Sequence, residues 1–222
     1  MPSRNAIPLP DEIPFEQGAI MMCSSGTSLH ALHKAGLKPR ESVAVFGVGG
    51  LGISAVQLAR AFGALDVYAV DINADKLKLA ESYGAIAVNA GTADPVAEIR
   101  QLTGGRGVDV ALELVGLPRT MKQAVQSLGV FGRAVLVGIA DQPFEINSYH
   151  DVILKEAQII GCSDHLLQEL PLLVELVGRG TLDLSSVVTC TVPLDAEAIN
   201  EALDRLEAFG PDVRTVITPW PE

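Results

Sequence analysis

Cysteine is scarce in this sequence of 222 residues. The three cysteines, Cys23, Cys162 and Cys190, are odd in number and lie far apart along the chain. Small secreted domains that depend on disulfide bonds carry more cysteines at closer spacing. A disulfide framework is therefore not expected, and a reducing compartment, the cytoplasm, is expected instead.

Basic residues and long apolar runs are also in short supply. Lys and Arg number 16 against 27 Asp and Glu, which gives a formal net charge of -11. The clusters of basic residues that nucleic acids and anionic membranes require are missing. No apolar run reaches the roughly 18 residues of a membrane-spanning helix, and residues 1–4 lack the apolar core of a targeting segment. The sequence predicts a soluble protein whose partners are small molecules or proteins, with no nucleic acid and no membrane.

Apolar residues, by contrast, make up 48% of the chain, enough for a sizeable core. Short runs rich in β-branched residues alternate with helical patterns, with glycines between them. The strand-like runs are residues 42–46, 66–71, 85–89, 108–115, 133–137 and 156–161. This alternation predicts an α/β fold, a doubly wound parallel six-stranded sheet of the Rossmann type.

Helical patterns fill the intervals between these strands. The predicted helices are residues 27–36, the stretch after a glycine cluster up to residue 60, and residues 74–83, 94–102 and 118–128. Ser24 or Ser25 is the candidate cap of the first helix and Gly36 its end, and Asn73 is the cap of the third. The proline-rich start is expected to be extended, and residues 15–23 form either one helical turn or a short strand.

The last part of the chain departs from this alternation. It predicts a helix at 166–178 with Pro171 near its first turn, a strand at 187–192, a helix at 194–209 and a strand at 214–218. These two strands lie outside the six-strand pattern and need a sheet of their own. The predicted organisation is an arm at 1–24, the six-stranded domain at 25–163 and a C-terminal segment at 164–222.

A glycine cluster, Gly47-Val-Gly-Gly-Leu-Gly52, follows the first strand and opens a helix. Gly47 permits a sharp turn, Gly49 lets a ligand approach the backbone, and Gly52 lets the helix lie close to the strand. The first N–H groups of such a helix bind anions, commonly the pyrophosphate of a dinucleotide. Taken alone the pattern also suits an ordinary glycine-rich loop, but the strand, turn, helix and strand follow in the order of a dinucleotide site.

Asp71 ends the second strand, nineteen positions after Gly52. That spacing, about 20 residues, is typical of the carboxylate that accepts hydrogen bonds from the adenosine ribose. Asp71 could instead cap the next helix, although Asn73 is better placed for that. Because a carboxylate would repel a 2′-phosphate, the sequence predicts NAD as the cofactor over NADP.

With these motifs the chain resembles the medium-chain dehydrogenase/reductase family, specifically its zinc-dependent alcohol and polyol dehydrogenases. The resemblance covers the chain from about Asn5 to its end. The glycine cluster is similar to the family's fingerprint, and Asp71-Ile-Asn-Ala-Asp-Lys76 to its ribose-binding turn. The resemblance implies an oxidoreductase that transfers a hydride between an alcohol or polyol and NAD.

The resemblance also implies roles for individual residues. Lys76 would reach the same ribose as Asp71, and Arg214 would pair with the pyrophosphate. Thr27 would pack on the nicotinamide ring, and Cys23 matches the third ligand of a catalytic zinc ion. The cofactor-binding set is Gly47, Gly49, Gly50, Leu51, Gly52, Asp71, Lys76, Arg214 and, through backbone near the nicotinamide, Val115, Val137, Gly138 and Ile139.

The sequence lacks a part that complete family members have. In those proteins a preceding domain supplies the other two zinc ligands and most of the substrate pocket. The chain thus resembles the cofactor-binding, C-terminal portion of such an enzyme, which is not expected to hold zinc stably by itself. The alternative hypothesis is a stand-alone nucleotide-binding or partner-binding module without turnover. The family also implies a homodimer, joined through the sixth strand at 156–161.

Several candidates have a plainer interpretation. Cys23 alone cannot make a metal site, which favours a small apolar thiol at a strand end. The pair His30 and His33 could bind a metal on a helix, but without a third ligand nearby surface histidines are favoured; the pair Cys162 and His165 meets the same objection. Lys76 and Arg214 could be solvated residues. The solvent-exposed face of the last helix is expected to carry Glu197, Glu201, Asp204 and Glu207.

Overall fold

The computed structural model describes residues 5–208 and 212–219. Residues 1–4 and Phe209, the predicted end of the last helix, lie outside the described residues. None of the helices in this described part is long and apolar enough to cross a membrane.

A six-stranded parallel sheet forms the centre of the molecule. Its strands are β1 (Val43–Phe46), β2 (Val67–Asp71), β3 (Ile86–Asn89), β4 (Val108–Glu113), β5 (Leu128–Leu136) and β6 (Gln158–Gly161). They lie in the order β3-β2-β1-β4-β5-β6. This order confirms the predicted doubly wound Rossmann sheet, and it reverses direction between β1 and β4, where such folds bind their ligands.

Helices cover both faces of the sheet because the strands are apolar on both sides. The helices are α1 (Phe15–Ile20), α2 (Gly26–Ala35), α3 (Gly50–Ala61), α4 (Ala74–Ser82), α5 (Pro95–Leu102) and α6 (Pro118–Gln126). One buried cluster joins α2, α3 and α4 to one face of the sheet. A second cluster, with Ile99 of α5 and Ala124 of α6, lies on the other face.

The start of α2 differs from the prediction. Residues 15–23 are helical, and a π-helical turn at Met21–Ser25 runs directly into α2. Neither Ser24 nor Ser25 caps α2, because the backbone before it is already helical. Ser24 Oγ instead donates a hydrogen bond to the Gly50 carbonyl, 2.7 Å away, and Ser25 Oγ lies 3.0 Å from Ser54 Oγ. Both serines therefore fasten α2 to α3.

Two other predicted helix ends are confirmed, whereas the helix predicted at 118–128 ends at Gln126. Gly36 ends α2 with a φ of 58°. The Asn73 side chain accepts hydrogen bonds from the N–H groups of Asp75 and Lys76 at the start of α4.

Three strand boundaries differ from the prediction by two residues or more, and several others differ by one residue. β4 ends at Glu113 and not at residue 115, because the N–H groups of Val115 and Gly116 bond to the Glu113 side chain. β5 begins at Leu128, five residues before the predicted start at 133, with a register irregularity opposite Val108 and Val110. β6 begins at Gln158, two residues after the predicted start, because Glu156 has a left-handed φ of 47°.

The remaining elements are α7 (Leu170–Gly178), β7 (Val188–Pro193), α8 (Ala196–Glu207) and β8 (Arg214–Thr218). As predicted, Pro171 lies in the first turn of α7, and the four acidic residues of α8 are exposed. The Asp195 side chain caps α8. β7 and β8 form a separate two-stranded parallel sheet.

The separate sheet and α7 do not form a core of their own. Leu170, Leu173, Leu184 and Val216 belong to the same buried cluster as Ile13, Ile20 and Met21 from the first part of the chain and as the residues of α2 and α3. The beginning and the end of the chain therefore pack together against one face of the sheet.

Candidate functional site

The glycine turn lies at the carboxyl end of β1, next to the point where the strand order reverses. Gly47 has a φ of 89°, which favours glycine. A methyl group at Gly52 would overlap the Gly47 carbonyl group, so α3 can approach the strand this closely only with glycine there. A methyl group at Gly49, in contrast, would meet no atom within 4 Å. The backbone of Gly49 thus faces open space that a ligand could fill.

Arg214 reaches this turn from β8. A methyl group at Gly50 would overlap the Arg214 side chain, so the arginine lies directly against the first turn of α3. Its Nε is buried and has no hydrogen-bond partner among the described residues. Burial lowers the pKa of Arg214, and nearby Cys23 acts in the opposite sense. Arg214 is therefore not the solvated strand residue that the plainer interpretation allowed.

The Arg214 guanidinium and the N-terminus of α3 place positive charge around the space beside Gly49. The N–H groups of a first helical turn have no partner within the helix. Together with the unpaired Nε they form a set of donors that suits an anion. The residues present therefore fit the pyrophosphate of a dinucleotide.

Asp71 lies at the end of β2 beside the glycine turn. Its Oδ2 accepts a hydrogen bond from the Val48 N–H at 2.9 Å, and its Oδ1 accepts one from the Asn73 N–H at 2.9 Å. The carboxylate is half-buried and lines a cavity of about 230 Å³ with Lys76, Gly47 and Val115. The walls of this cavity are otherwise mostly apolar, which suits a ring system with a hydrogen-bonding group at one edge.

A larger cleft, of about 1060 Å³, opens on the other side of the glycine turn. Thr27, only 5% exposed, lines it. The structure brings six of the predicted residues into this cleft: Cys23, Thr27, Leu51, Val137, Gly138 and Ile139. Eight of the twelve predicted cofactor residues therefore line one of these two hollows, whereas Gly49, Gly50, Gly52 and Arg214 line neither.

Cys23 does not form a metal site with its neighbours. It is exposed and lies in the π-helical turn, so the expectation of a thiol at a strand end was wrong. Within residues 5–208 and 212–219 no group of three or more His, Cys, Asp or Glu side chains could hold a metal ion. The residues present do not fit a zinc ion.

His30 and His33 are more than surface histidines. Their Nδ1 atoms lie 3.0 and 2.8 Å from the same oxygen, Oε1 of Glu169. Burial raises the pKa of Glu169, but hydrogen bonds from the Leu166 N–H and from both histidines outweigh it, so its pKa lies below the ordinary value. Sequence reasoning missed Glu169 because it lies 136 residues beyond His33.

Sequence reasoning also missed Glu113 at the end of β4. It is fully buried, and Oε1 accepts hydrogen bonds from the loop that follows the strand. A single acidic residue within the apolar run 110–115 was the available signal. Buried carboxylates are rare unless they are paired or hydrogen-bonded.

Comparison with known proteins agrees with this geometry. Residues 50–178 match the model of the family described as zinc-binding dehydrogenase, which is more than half of the chain. The chain belongs to this family, which confirms the resemblance predicted from its motifs.

Among curated relatives, the (R,R)-butanediol dehydrogenase of Bacillus subtilis is 35% identical over 212 residues, 95% of this chain and 60% of the relative. An NAD-dependent alcohol dehydrogenase of Sulfurisphaera tokodaii is 33% identical, over 91% of this chain and 58% of the relative. The chain thus spans about 60% of the length of these relatives and corresponds to their cofactor-binding portion.

Solved structures show the same extent of similarity. The crystal structure of 2R,3R-butanediol dehydrogenase from Bacillus subtilis superposes with a TM-score of 0.85 at 34% identity, covering 96% of this chain and 60% of that one. Benzyl alcohol dehydrogenase from Acinetobacter calcoaceticus gives a TM-score of 0.87 at 28% identity, over 95% and 59%.

Proposed function

We propose that this chain binds NAD and is the cofactor-binding portion of a zinc-type alcohol dehydrogenase, which transfers a hydride between an alcohol or polyol and NAD. The observation that carries the proposal is the open space beside Gly49 at the N-terminus of α3, with the buried, unpaired Nε of Arg214 against the next residue, Gly50. The relatives named as NAD-dependent alcohol dehydrogenases support it.

Each half of the cofactor has residues that suit it. The first turn of α3 and Arg214 would hold the pyrophosphate, and Asp71, with Lys76 nearby, would accept hydrogen bonds from the adenosine ribose. Val115 and the segment 137–139 would supply backbone contacts to the nicotinamide, and Thr27 would pack on its ring. NAD bound there would supply hydride-transfer chemistry. The protein's part is to hold the nicotinamide beside the cleft and to exclude water from one side of it.

Turnover needs groups that the described residues do not provide. Because they offer no complete zinc site, Cys23 would act as a ligand only alongside other ligands. We propose that the arm at 1–24 and the segment at 164–222 belong with the catalytic domain of such an enzyme, and that 25–163 is its NAD domain. The competing function, a nucleotide-binding or partner-binding module without turnover, is favoured because the described residues hold no complete metal site.

A homodimer joined through β6 is also part of the proposal. β6 is an edge strand of the sheet, and its residues are exposed or half-exposed. An uncovered edge strand offers unpaired N–H and C=O groups to a second strand. A second copy of β6 would satisfy these groups.

Titration with NADH, followed by fluorescence, tests the binding site through Gly49→Ala. Because the added methyl group meets no protein atom within 4 Å, the fold should be unchanged, while the group projects into the proposed ligand space. We expect a loss of NADH affinity on the order of tenfold or more. Gly178→Ala, also in open space but at the end of α7, is the matched control and should bind as the wild type does. Equal NADH affinity in Gly49→Ala and wild type would refute the site.

Incubation with NAD and a panel of alcohols separates enzyme from module. Zinc-dependent formation of NADH, followed by absorbance, supports turnover by this chain. A flat trace together with clear NADH binding supports the module.

A further inference from the structure

Glu113 occupies an unusual position at the end of β4. Its side chain is fully buried, and Oε1 accepts three hydrogen bonds: from the Val115 N–H at 3.0 Å, the Gly116 N–H at 2.9 Å and the Thr120 hydroxyl at 2.7 Å. Oε2 is buried and has no hydrogen-bond partner among the described residues. A single carboxylate oxygen thus accepts hydrogen bonds from three residues of the segment after β4.

The main chain of Glu113 holds the neighbouring loop as well. Its carbonyl oxygen accepts hydrogen bonds from the Val137 N–H at 2.9 Å and the Gly138 N–H at 3.0 Å, at the end of β5. The loops after β4 and β5 are therefore both fastened to a single residue. These are the two loops proposed above to contact the nicotinamide, and the loop after β4 also lines the cavity beside Asp71 through Val115.

The two loops meet each other where the carboxylate lies. Gly116 has a φ of 85°, and a Cβ there would lie 2.8 Å from the Ile139 backbone nitrogen. A Cβ at Gly138 would lie 2.8 Å from Oε2 of Glu113. The loops can cross this closely only because both residues are glycine, and the carboxylate fills the remaining space between them. A shift of the carboxylate would therefore move both loops.

An apolar side chain could not replace Glu113 in this arrangement. It would leave the N–H groups of Val115 and Gly116 without an acceptor, and unsatisfied buried groups favour rearrangement of the backbone that carries them. A carboxylate with a buried, unpartnered oxygen is itself costly to bury. We explain the buried carboxylate of Glu113 by its effect on the loops after β4 and β5, which it holds in position.

We propose that Glu113 is a positioning residue that sets the geometry of the nicotinamide half of the cofactor site without touching the cofactor. This inference rests on the proposed function. It predicts that loss of Glu113 weakens binding of NADH more than binding of ADP-ribose, because both loops would contact the nicotinamide, whereas only the loop after β4 also lines the cavity beside Asp71.

The test compares the affinities of Glu113→Ala for NADH and for ADP-ribose, which lacks the nicotinamide. We expect NADH affinity to fall on the order of tenfold and ADP-ribose affinity to fall less, by about threefold at most. Glu113→Gln, whose amide oxygen can accept the same three hydrogen bonds, should restore NADH affinity to within about threefold of the wild type. Ser127→Ala is the matched control, since it removes a buried side-chain hydrogen bond, to the Gln123 carbonyl, at the opposite end of the sheet. It should leave the ratio of the two affinities unchanged.

Unchanged NADH affinity in Glu113→Ala, or an equal loss for both ligands, overturns the proposal. If thermal melting shows that Glu113→Ala does not fold, Glu113→Asp decides the question. The side chain of aspartate is one methylene shorter, so its carboxylate cannot reach the same position. A selective loss of NADH affinity supports the proposal, and a wild-type ratio of affinities overturns it. A wild-type protein that binds neither ligand overturns the proposed function and this inference with it, whereas a failure of Glu113 alone leaves ADP-ribose and NADH binding intact.

Discussion

Asp71 shows how one side chain can serve the fold and a ligand together. Its two oxygens accept hydrogen bonds from the N–H groups of Val48 and Asn73, which ties the glycine turn to the turn before α4. Each carboxylate oxygen has room for a further donor. A ribose hydroxyl could therefore bind without disturbing the turns that Asp71 supports.

Asp71→Asn should reduce the preference for NADH over NADPH. The amide keeps one acceptor oxygen but removes the charge that would repel a 2′-phosphate. We expect the ratio of the two dissociation constants to shrink on the order of tenfold, measured by fluorescence titration with each cofactor. Asp75→Asn, the same change at an exposed carboxylate in the same turn region, is the control and should leave the ratio as it is. A ratio unaltered in both variants would contradict the role given to Asp71.

Much of the site could be predicted at the level of single residues, because its signals are local. The glycine spacing and Asp71 lie within one strand, turn, helix and strand, so their proximity follows from the chain itself. Glu113 and Glu169 could not be predicted in this way. The loop after β5 meets Glu113 only in the folded sheet, and the two histidine partners of Glu169 lie 136 and 139 residues away.

The secondary-structure elements show the same division between local and distant causes. Asn73 and Asp195 were predictable caps because each bonds to N–H groups two or three residues ahead. Ser24 and Ser25 have the same chemistry but bond to α3, since the chain before α2 is already helical. Whether a serine caps its own helix or holds another depends on the fold.

The link between α2 and the turn before α7 should depend on pH. Glu169 accepts hydrogen bonds from His30, His33 and the Leu166 N–H, and these hold its pKa below the ordinary value of 4.5. A depressed folded-state pKa adds stability above the unfolded-state pKa and loses it as the pH falls through the folded-state value.

Glu169→Gln should therefore lower the free energy of unfolding by about 1–2 kcal/mol at pH 7, the effect of weakening a charged hydrogen-bond set. The difference from the wild type should shrink as the pH falls below about 4.5. Urea denaturation at a series of pH values measures it. Glu175→Gln, which alters an exposed ion pair with Arg179, is the control and should have little effect. A difference that stays constant from pH 7 to pH 3 would argue against the link.

At the scale of the whole molecule, the order of the strands determines which loops lie side by side and which strands form the edges of the sheet. The reversal between β1 and β4 brings the glycine turn to the loop after β4, and Val115 packs against Gly47. The same order leaves β3 and β6 as the two edges of the sheet. β6 is the edge proposed to pair with a second copy.

Ile159→Pro should abolish the proposed homodimer. The Cys162 N–H donates to the Leu136 carbonyl in β5, so by the alternation of a strand the Ile159 N–H points away from the sheet. Proline there removes an outward donor and spares the pairing with β5. Sedimentation should give a dimer for the wild type and for Ile159→Val, and a monomer for Ile159→Pro. A wild type that is monomeric at high concentration, or a dimeric proline variant, would show that β6 is not the interface.

The shared core on one face of the sheet has a consequence for how the molecule opens. Ile20 from the first part of the chain, Leu32 of α2, and Leu173 and Val216 from the last part are buried in one cluster. Parts that share a cluster exchange their protected amide hydrogens with a common opening energy. Amides of α2, α3 and α7 should therefore exchange together, in a kinetic unit distinct from α5 and α6 on the opposite face. In hydrogen exchange followed by mass spectrometry, amides should then group by the face of the sheet on which they lie and not by their position along the chain.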